Sequence, residues 1–331
     1  MPVAVVLTAL LLLADMAVGS TPIPLKELWR GLTGSGTDES IRYIVLHFRI
    51  PKAVTALLAG AALSAVGLQM QTLFRNPLAG PYVLGVSSGA SLGVALFTLG
   101  MPLLGISAPS VWWGGIGTVG AAWTGAAVIL LIIMAVTTRI KDIMAVLIMG
   151  MMFGSAATAI VEILQYMSPE GAVKSYVVWT MGSLGGVMLS ELRILVPVLA
   201  AGLALSVSLI KPLNMLLLGE NYARTMGLDI RATRLRIFAS TILLAGTVTA
   251  YCGPISFLGL AVPHIVRMAF READHRILMP ASMVCGGGIL LLCDLASQLP
   301  PSDMTLPINT VSAFIGIPVV IAVILRTRKN S

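Results

Sequence analysis

Uncharged runs divide this chain. No Asp, Glu, Lys or Arg occurs from Ala53 to Phe74, from Asn76 to Thr138, from Ile143 to Val161, from Ile194 to Ile210 or from Met304 to Leu325. A helix needs about 20 apolar residues to cross the hydrocarbon of a bilayer. Each run can therefore hold a membrane helix, and Asn76–Thr138 holds two. Its Gly/Pro-rich middle, Gly100 to Pro109, supplies the turn between them. The full pattern predicts ten apolar segments, at about residues 2–20, 53–73, 81–100, 112–137, 143–166, 190–210, 232–252, 255–270, 277–297 and 306–325.

Two segments depart from a plain span. The first has no basic stretch ahead of it and is interrupted by Asp15, so it reads as a retained span rather than a cleaved signal. The missing basic start leaves the completeness of the N-terminus open. The eighth is short, with Gly253-Pro254 before it and Pro263 inside it. Broken helices at membrane depth are tolerated only where they pack on protein or line a cavity. The seventh and eighth segments are therefore expected beside a transport pathway.

Composition agrees. Of 331 residues, 57% are hydrophobic and 11% charged, against about 25% charged in soluble domains. Mean hydropathy is +0.95. A soluble enzyme, a disordered chain and a nucleic-acid-binding domain are excluded as classes, although the net charge is +7. The cations instead set orientation. One set of loops holds Arg75; Arg139 and Lys141; Lys211, Arg224, Arg231, Arg234 and Arg236; Arg267, Arg271 and Arg276; and Arg326, Arg328 and Lys329. The other holds Lys26, Arg30, Arg42, Arg49, Lys52, Lys174 and Arg193. The first set has most of the 21 Lys and Arg residues and is expected in the cytoplasm. Ten spans then put both termini there. The fold class is an all-α, multi-pass protein of the cytoplasmic (inner) membrane, with residues 1–331 forming one transmembrane domain.

Glycines at helix-packing spacing, Gly85-x3-Gly89-x3-Gly93 and Gly150-x3-Gly154, let helices approach closely in lipid. Catalytic chemistry is sparse. No GxxxxGK[ST] occurs, and Gly34-Ser35-Gly36-Thr37 lacks the lysine, so ATP could act only through a partner. Gly85-Val86-Ser87-Ser88-Gly89 fits GxSxG, but it falls in an apolar Gly-rich helix without the strand, His and acid of a nucleophile elbow. His47, His264 and His275 form no ligand cluster. Cys252, Cys285 and Cys293 are isolated and read as packing residues. Asp15, Glu162 and Asp294 are intramembrane acids without a basic residue at matching depth, either relays or groups facing water.

Residues 214–236 are the longest loop on the cation-rich side. A short helix can start near Leu218, with Tyr222, Ala223 and Met226 on one face, Gly227 as its left-handed C′ residue and Asp229 capping the next helix. A docking platform and an interfacial amphipathic turn both fit this pattern.

This loop resembles the coupling segment of the FecCD family, permease subunits of type II ABC importers for iron–siderophores, haem and cobalamin. Other motifs are similar in order: Arg49-Ile50-Pro51-Lys52, Gln71 to Ala79, Leu84 to Ala90, Phe257 to Leu260, Pro263 to Arg267, Asp274-His275-Arg276, Leu306-Pro307-Ile308 and Gly316-Ile317-Pro318. The resemblance implies a homodimer with the translocation path at its interface, two cytoplasmic ATPases and a periplasmic or lipid-anchored substrate-binding protein. It implies no catalytic residue, cofactor or metal in this chain, and no nucleic acid; membrane lipid is its surroundings. Coupling helices would lie at about 214–232, with Glu220, Tyr222, Ala223, Arg224, Gly227 and Leu228 facing the ATPase. Arg49 and Lys52, on a short turn at the outer mouth of the second span, would meet carboxylates of the binding protein. Arg139, Lys141, Asp142 and Ile143 would lie near the cytoplasmic gate. Two departures stand out: Gln298 is neutral where the family often has Arg, and Thr305 to Asn309 replaces its E-L-P-[IV]-G. The rival readings are an ion-gradient-driven secondary transporter using Asp15 and Glu162 as relays, and an intramembrane enzyme using Ser87.

Overall fold

The computed structural model describes residues 1–19, 23–33, 38–106, 111–137, 142–298 and 305–329. In order, the helices are α1 (Pro2–Ala17), α2 (Leu25–Thr33), α3 (Glu39–Leu73), α4 (Val86–Leu103), α5 (Val111–Thr137), α6 (Ile143–Met167), α7 (Glu170–Met181), α8 (Leu189–Ser208), α9 (Ile210–Leu217), α10 (Glu220–Thr225), α11 (Ile230–Cys252), α12 (Leu258–Phe270), α13 (His275–Ser297) and α14 (Ile308–Lys329). No strand occurs among the described residues.

Seven helices, α3, α4, α5, α6, α8, α11 and α13, are long and apolar enough to cross a membrane; α1, α12 and the first part of α14 are shorter apolar helices. Each of the ten predicted segments falls on one of these. The largest boundary difference is in α3, which begins at Glu39 rather than Ala53. Arg42, Arg49 and Lys52 ended the uncharged run, yet all three sit inside the helix. Pro51 cannot donate to the carbonyl four residues back. The widened turn Val45–Arg49 ends two residues before it and takes up the irregularity.

α3 is the axis of the bundle. Its apolar window is 83% buried, against 28% for α6. α13, α12, α8, α11 and α1 pack around it, while α4, α5 and α6 form a second group. Small residues make this possible: a Cβ on Gly67 would overlap the Gly259 carbonyl of α12, and one on Gly60 the Gly286 carbonyl of α13. The predicted glycine stripe packs as expected, with Gly89 of α4 on Gly125 of α5, Gly93 on Ala121, and Gly150 of α6 on the Val83 backbone. Without hydrophobic drive between helices in lipid, such backbone approach supplies much of the packing. α5, α6 and α8 keep exposed apolar faces.

The expected break between the seventh and eighth segments is present. Gly253 has φ +72° and Phe257 φ +65°. Every unpaired backbone group at membrane depth needs a partner, and two side chains serve. The Ile255 N–H donates to Tyr82 Oη at 3.1 Å, and Tyr82 Oη donates to the Ile255 carbonyl at 2.6 Å. The Ser256 N–H donates to Asn309 Oδ1 at 3.0 Å. Asn309, one of the departures from the family pattern, thus pins α14 to the break. Tyr82→Phe strips the break of both bonds, and a buried group left unsatisfied costs about 1–3 kcal/mol. Thermal unfolding in detergent is expected to fall accordingly, and an unchanged midpoint would remove Tyr82 from this role.

Candidate functional site: the two polar ends of the bundle

At one end lie the C-terminus of α3 and the helices α9 and α10. α10 is a single exposed helix of six residues. Its end is the predicted left-handed turn: Gly227 has φ +84°, its N–H donates to the Arg224 carbonyl at 2.9 Å, and the Leu228 N–H to the Ala223 carbonyl at 3.0 Å. These are the two bonds of a Schellman motif. Asp229 then accepts from the Ala232 N–H at 3.0 Å and caps α11, as expected.

The predicted common face of Tyr222, Ala223 and Met226 does not form. Ala223 is fully buried, whereas Tyr222 is 56% and Met226 42% exposed. Consecutive helix positions point about 100° apart, so Ala223 seats α10 on the bundle while Tyr222, Arg224 and Met226 face outward. Glu220, expected to face the ATPase, turns back to the bundle. Its Oε1 accepts from Arg234 Nη2 of α11 at 2.5 Å. Glu220 therefore holds α10 in place, and Leu228 is half-buried against the core.

Arg75 leaves α3 with φ +49° and lies against Gly219, itself at φ +109°. Arg75, Leu73, Glu220 and Tyr222 share a cavity of about 770 Å³ with Asp142. Asp142 accepts from the Met144 N–H at 2.9 Å and caps α6, which Ile143 opens. The structure thus brings one expected gate residue to the expected coupling residues. Arg139 and Lys141 lie outside the described residues.

Behind α10 sits a polar clamp that the sequence reading missed. Asn214 of α9 donates to Asp274 Oδ1 at 2.6 Å, and its Oδ1 accepts from the His275 N–H at 2.9 Å. His275 Nε2 meets Thr72 Oγ1 of α3 at 2.8 Å. Bonds from the Arg276 N–H and the Asn214 amide hold the Asp274 carboxyl below its usual range. His264 contacts the Pro77 carbonyl at 2.7 Å. His264 ties α12 to the loop after α3, and His275 ties α13 to α3 and α9.

At the opposite end, Arg49 and Lys52 lie inside α3, one turn apart, not on a short turn. Arg49 is 7% exposed and donates to the Val18 carbonyl. Lys52 Nζ is 2.6 Å from Asp294 Oδ2. This corrects the expectation that no basic residue matches the depth of the intramembrane acids: because α3 starts early, Lys52 lies level with the end of α13. Gln298 Nε2 donates to Asp294 Oδ2 at 2.9 Å and reaches Asp15 Oδ1 at 3.4 Å. Asp15 is 2% exposed, and its Oδ2 has no hydrogen-bond partner. Arg49, Lys52, Asp294 and Gln298 line a cavity of about 590 Å³, closed by Gly182 to Gly185 and Thr305 to Ile308.

The remaining candidates separate. Glu162 is exposed on α6 and shares a cavity of about 400 Å³ with Tyr82, Ser88, Ser155 and Thr158. It is not part of the Asp15 cluster, so the two acids form no common relay. The GxSxG stretch straddles a helix start rather than lying within a helix: Gly85, at φ +72°, is the N-cap of α4. Met151 of α6 lines the Glu162 cavity and Met181 of α7 the Lys52 cavity.

The bundle thus has two polar ends, a short exposed helix at one and a cavity lined by Arg49 and Lys52 at the other. The profile of the FecCD transport family matches residues 7–326. The chain is 32% identical to the hemin transport system permease protein HmuU of Yersinia pestis, over 97% of this chain and 95% of that one. It is 34% identical to the vitamin B12 import system permease protein BtuC of Klebsiella pneumoniae, covering 96% and 90%. It is 31% identical to the Fe(3+) dicitrate transport system permease protein FecD of Escherichia coli K12, covering 96% and 95%. A solved structure described as an inward-facing metal-chelate type ABC transporter superposes with a TM-score of 0.83 at 27% identity, over 98% of this chain and 97% of that one. The chain belongs to the FecCD transport family.

Proposed function

We propose that this protein is the permease subunit of an ABC importer that moves an iron chelate (siderophore or haem) or cobalamin into the cytoplasm. The observation that carries this reading is likeness along the whole chain to permeases named for hemin, vitamin B12 and ferric dicitrate. The chain works as a homodimer in the inner membrane, as one domain with coupling helices at about 214–232. Both termini and the α10 end face the cytoplasm, in line with the excess of loop cations there. Two P-loop ATPases dock on Tyr222, Arg224 and the turn at Gly227, while Glu220, Ala223 and Leu228 fix that platform to the bundle. Asp142, with Arg139, Lys141 and Ile143, belongs to the inner gate. A periplasmic or lipid-anchored binding protein docks over Arg49 and Lys52. ATP is hydrolysed by the partner, not by this chain.

Cross-linking tests the arrangement. Tyr222→Cys is expected to cross-link to the P-loop ATPase of the same importer, and Lys174→Cys, exposed on α7, to give none. A cross-link from Lys174→Cys alone would reverse the orientation and remove α10 as the ATPase platform.

A further inference from the structure

α6 has three faces, and one of them is polar. Gly150, Gly154, Ala157 and Val161 are buried against the bundle. Met152, Ala156, Ile160, Ile163 and Met167 make an exposed apolar face suited to lipid. Between these two faces run Met151, Ser155, Thr158, Glu162 and Tyr166, all exposed. Their spacing of three or four residues aligns them along the helix, over about 22 Å at 1.5 Å per residue. Ser155, Thr158 and Glu162 line the cavity of about 400 Å³ that also holds Tyr82 and Ser88. Glu162 is the one charged group among its described lining residues, and it forms no ion pair with a described residue. The outer cations do not offset it, since Lys52 pairs with Asp294 and Arg49 donates to the Val18 carbonyl in a separate cavity. Glu162 lies five residues inside the end of α6, about 7.5 Å along the axis. A carboxylate within a membrane span faces a water-filled cavity rather than lipid and marks a substrate path. The other end of α6 is capped by Asp142, which lines the cavity beside α10. One helix thus joins the Glu162 groove to the inner gate.

We propose that Glu162 is a charge selector in the translocation path: its carboxylate admits neutral and cationic metal chelates and repels anionic ones. The inference rests on the permease reading above and narrows its cargo. Fixed charge lining a narrow path selects by sign, and repulsion of the wrong ligand gives specificity without new contacts to the right one. Three singly charged hydroxamates neutralise a ferric ion, so a ferric trihydroxamate passes, as does cobalamin. Ferric tricatecholates, ferric dicitrate and hemin, with its two propionates, are net anions and are disfavoured. Met151 and the hydroxyls of Ser155 and Thr158 offer contact that adds no further charge.

Thiol labelling of the full-length permease in nanodiscs, at low salt, reads the field of Glu162 without cargo or partner. Thr158 is four residues from Glu162 on the same face, about 5–6 Å between Cβ atoms. The rate ratio of a cationic to an anionic thiosulfonate reagent is measured on Thr158→Cys with Glu162 present and with Glu162→Gln. The ratio is expected to be about tenfold higher with Glu162, the effect of one unit charge at that distance in water on probes of opposite sign. Wild type supplies the background from Cys252, Cys285 and Cys293. Ile160→Cys, on the apolar face, is expected to stay unlabelled, and Ser155→Cys repeats the measurement should Thr158→Cys fold poorly. Equal ratios with and without Glu162 would overturn the selector, as would labelling of Ile160→Cys but of neither Thr158→Cys nor Ser155→Cys. Uptake then tests the cargo. The wild-type importer, reconstituted with its ATPase and substrate-binding protein, is offered ferric trihydroxamate, aquacobalamin, ferric tricatecholate, ferric dicitrate and hemin. A neutral or cationic chelate is expected to accumulate fastest, and an anionic chelate as the best cargo would overturn the selectivity. No ATP-driven uptake of any chelate, beside an intact labelling ratio, would reject the permease reading and not the charged groove.

Discussion

Gly67→Leu is expected to abolish assembly of the protein. Gly67 lies towards the C-terminal end of α3, where the Gly259 backbone of α12 passes so close that even one added carbon would overlap its carbonyl. Overpacked sites that relax by moving side chains cost about 1–3 kcal/mol. Here the obstacle is backbone, and the helix that must move is preceded by the break at Gly253–Phe257 and packed against α13. The cost therefore exceeds that range and is comparable with the whole stability of a small domain, about 5–15 kcal/mol. Loss of monodisperse protein from detergent extracts is the readout. Gly120→Ala in α5 is the control, because a Cβ there meets nothing within 4 Å. Equal yields of Gly67→Leu and Gly120→Ala would contradict the close α3–α12 contact.

The second large effect is functional. Gly227→Pro combined with Arg224→Glu is expected to separate ATP hydrolysis from uptake while the permease still inserts. Proline fixes φ near −65°, and Gly227 sits at +84°. Its N–H, which donates to the Arg224 carbonyl, is also lost. Left-handed backbone in an L-residue costs roughly 1–2 kcal/mol and a net hydrogen bond about 0.5–1.5 kcal/mol. Both losses fall on a helix of only six residues, so α10 loses its fixed end. Arg224→Glu reverses the exposed charge beside it. The bundle core lies elsewhere and keeps its packing. Uptake is expected to fall by at least about tenfold, the equivalent of 1.4 kcal/mol. Wild-type uptake by a well-inserted double variant would remove this turn from energy coupling.

The spans were legible because lipid demands long uncharged runs and little else competes with that signal. The ends were not, since they depend on partners far apart in sequence. Lys52 looked like a loop cation because it closes an uncharged run, yet its counter-ion, Asp294, lies at the end of α13. The same holds for Asn214 and Asp274 in the clamp and for Tyr82 at the α11–α12 break, where a hydroxyl serves a backbone reached only through the fold. The turn at Gly227 and the cap at Asp229 were readable because local hydrogen bonds define them. The expected common face of α10 splits at Ala223, which the bundle takes in while Tyr222 and Met226 stay exposed, because only the fold shows which side of so short a helix meets the core. α7 has no counterpart among the predicted segments because Glu170 and Lys174 break its apolar pattern.

Transport in proteoliposomes tests the central claim most directly. The permease is reconstituted with the P-loop ATPase and substrate-binding protein of its importer. Ferric chelate, hemin and cobalamin are offered in turn on the binding-protein side. Accumulation of at least one of them is expected only with ATP and Mg²⁺ on the α10 side and both partners present, and it is expected to persist when ionophores collapse proton and sodium gradients. Uptake by the permease alone, driven by an imposed ion gradient without ATP, would contradict the account.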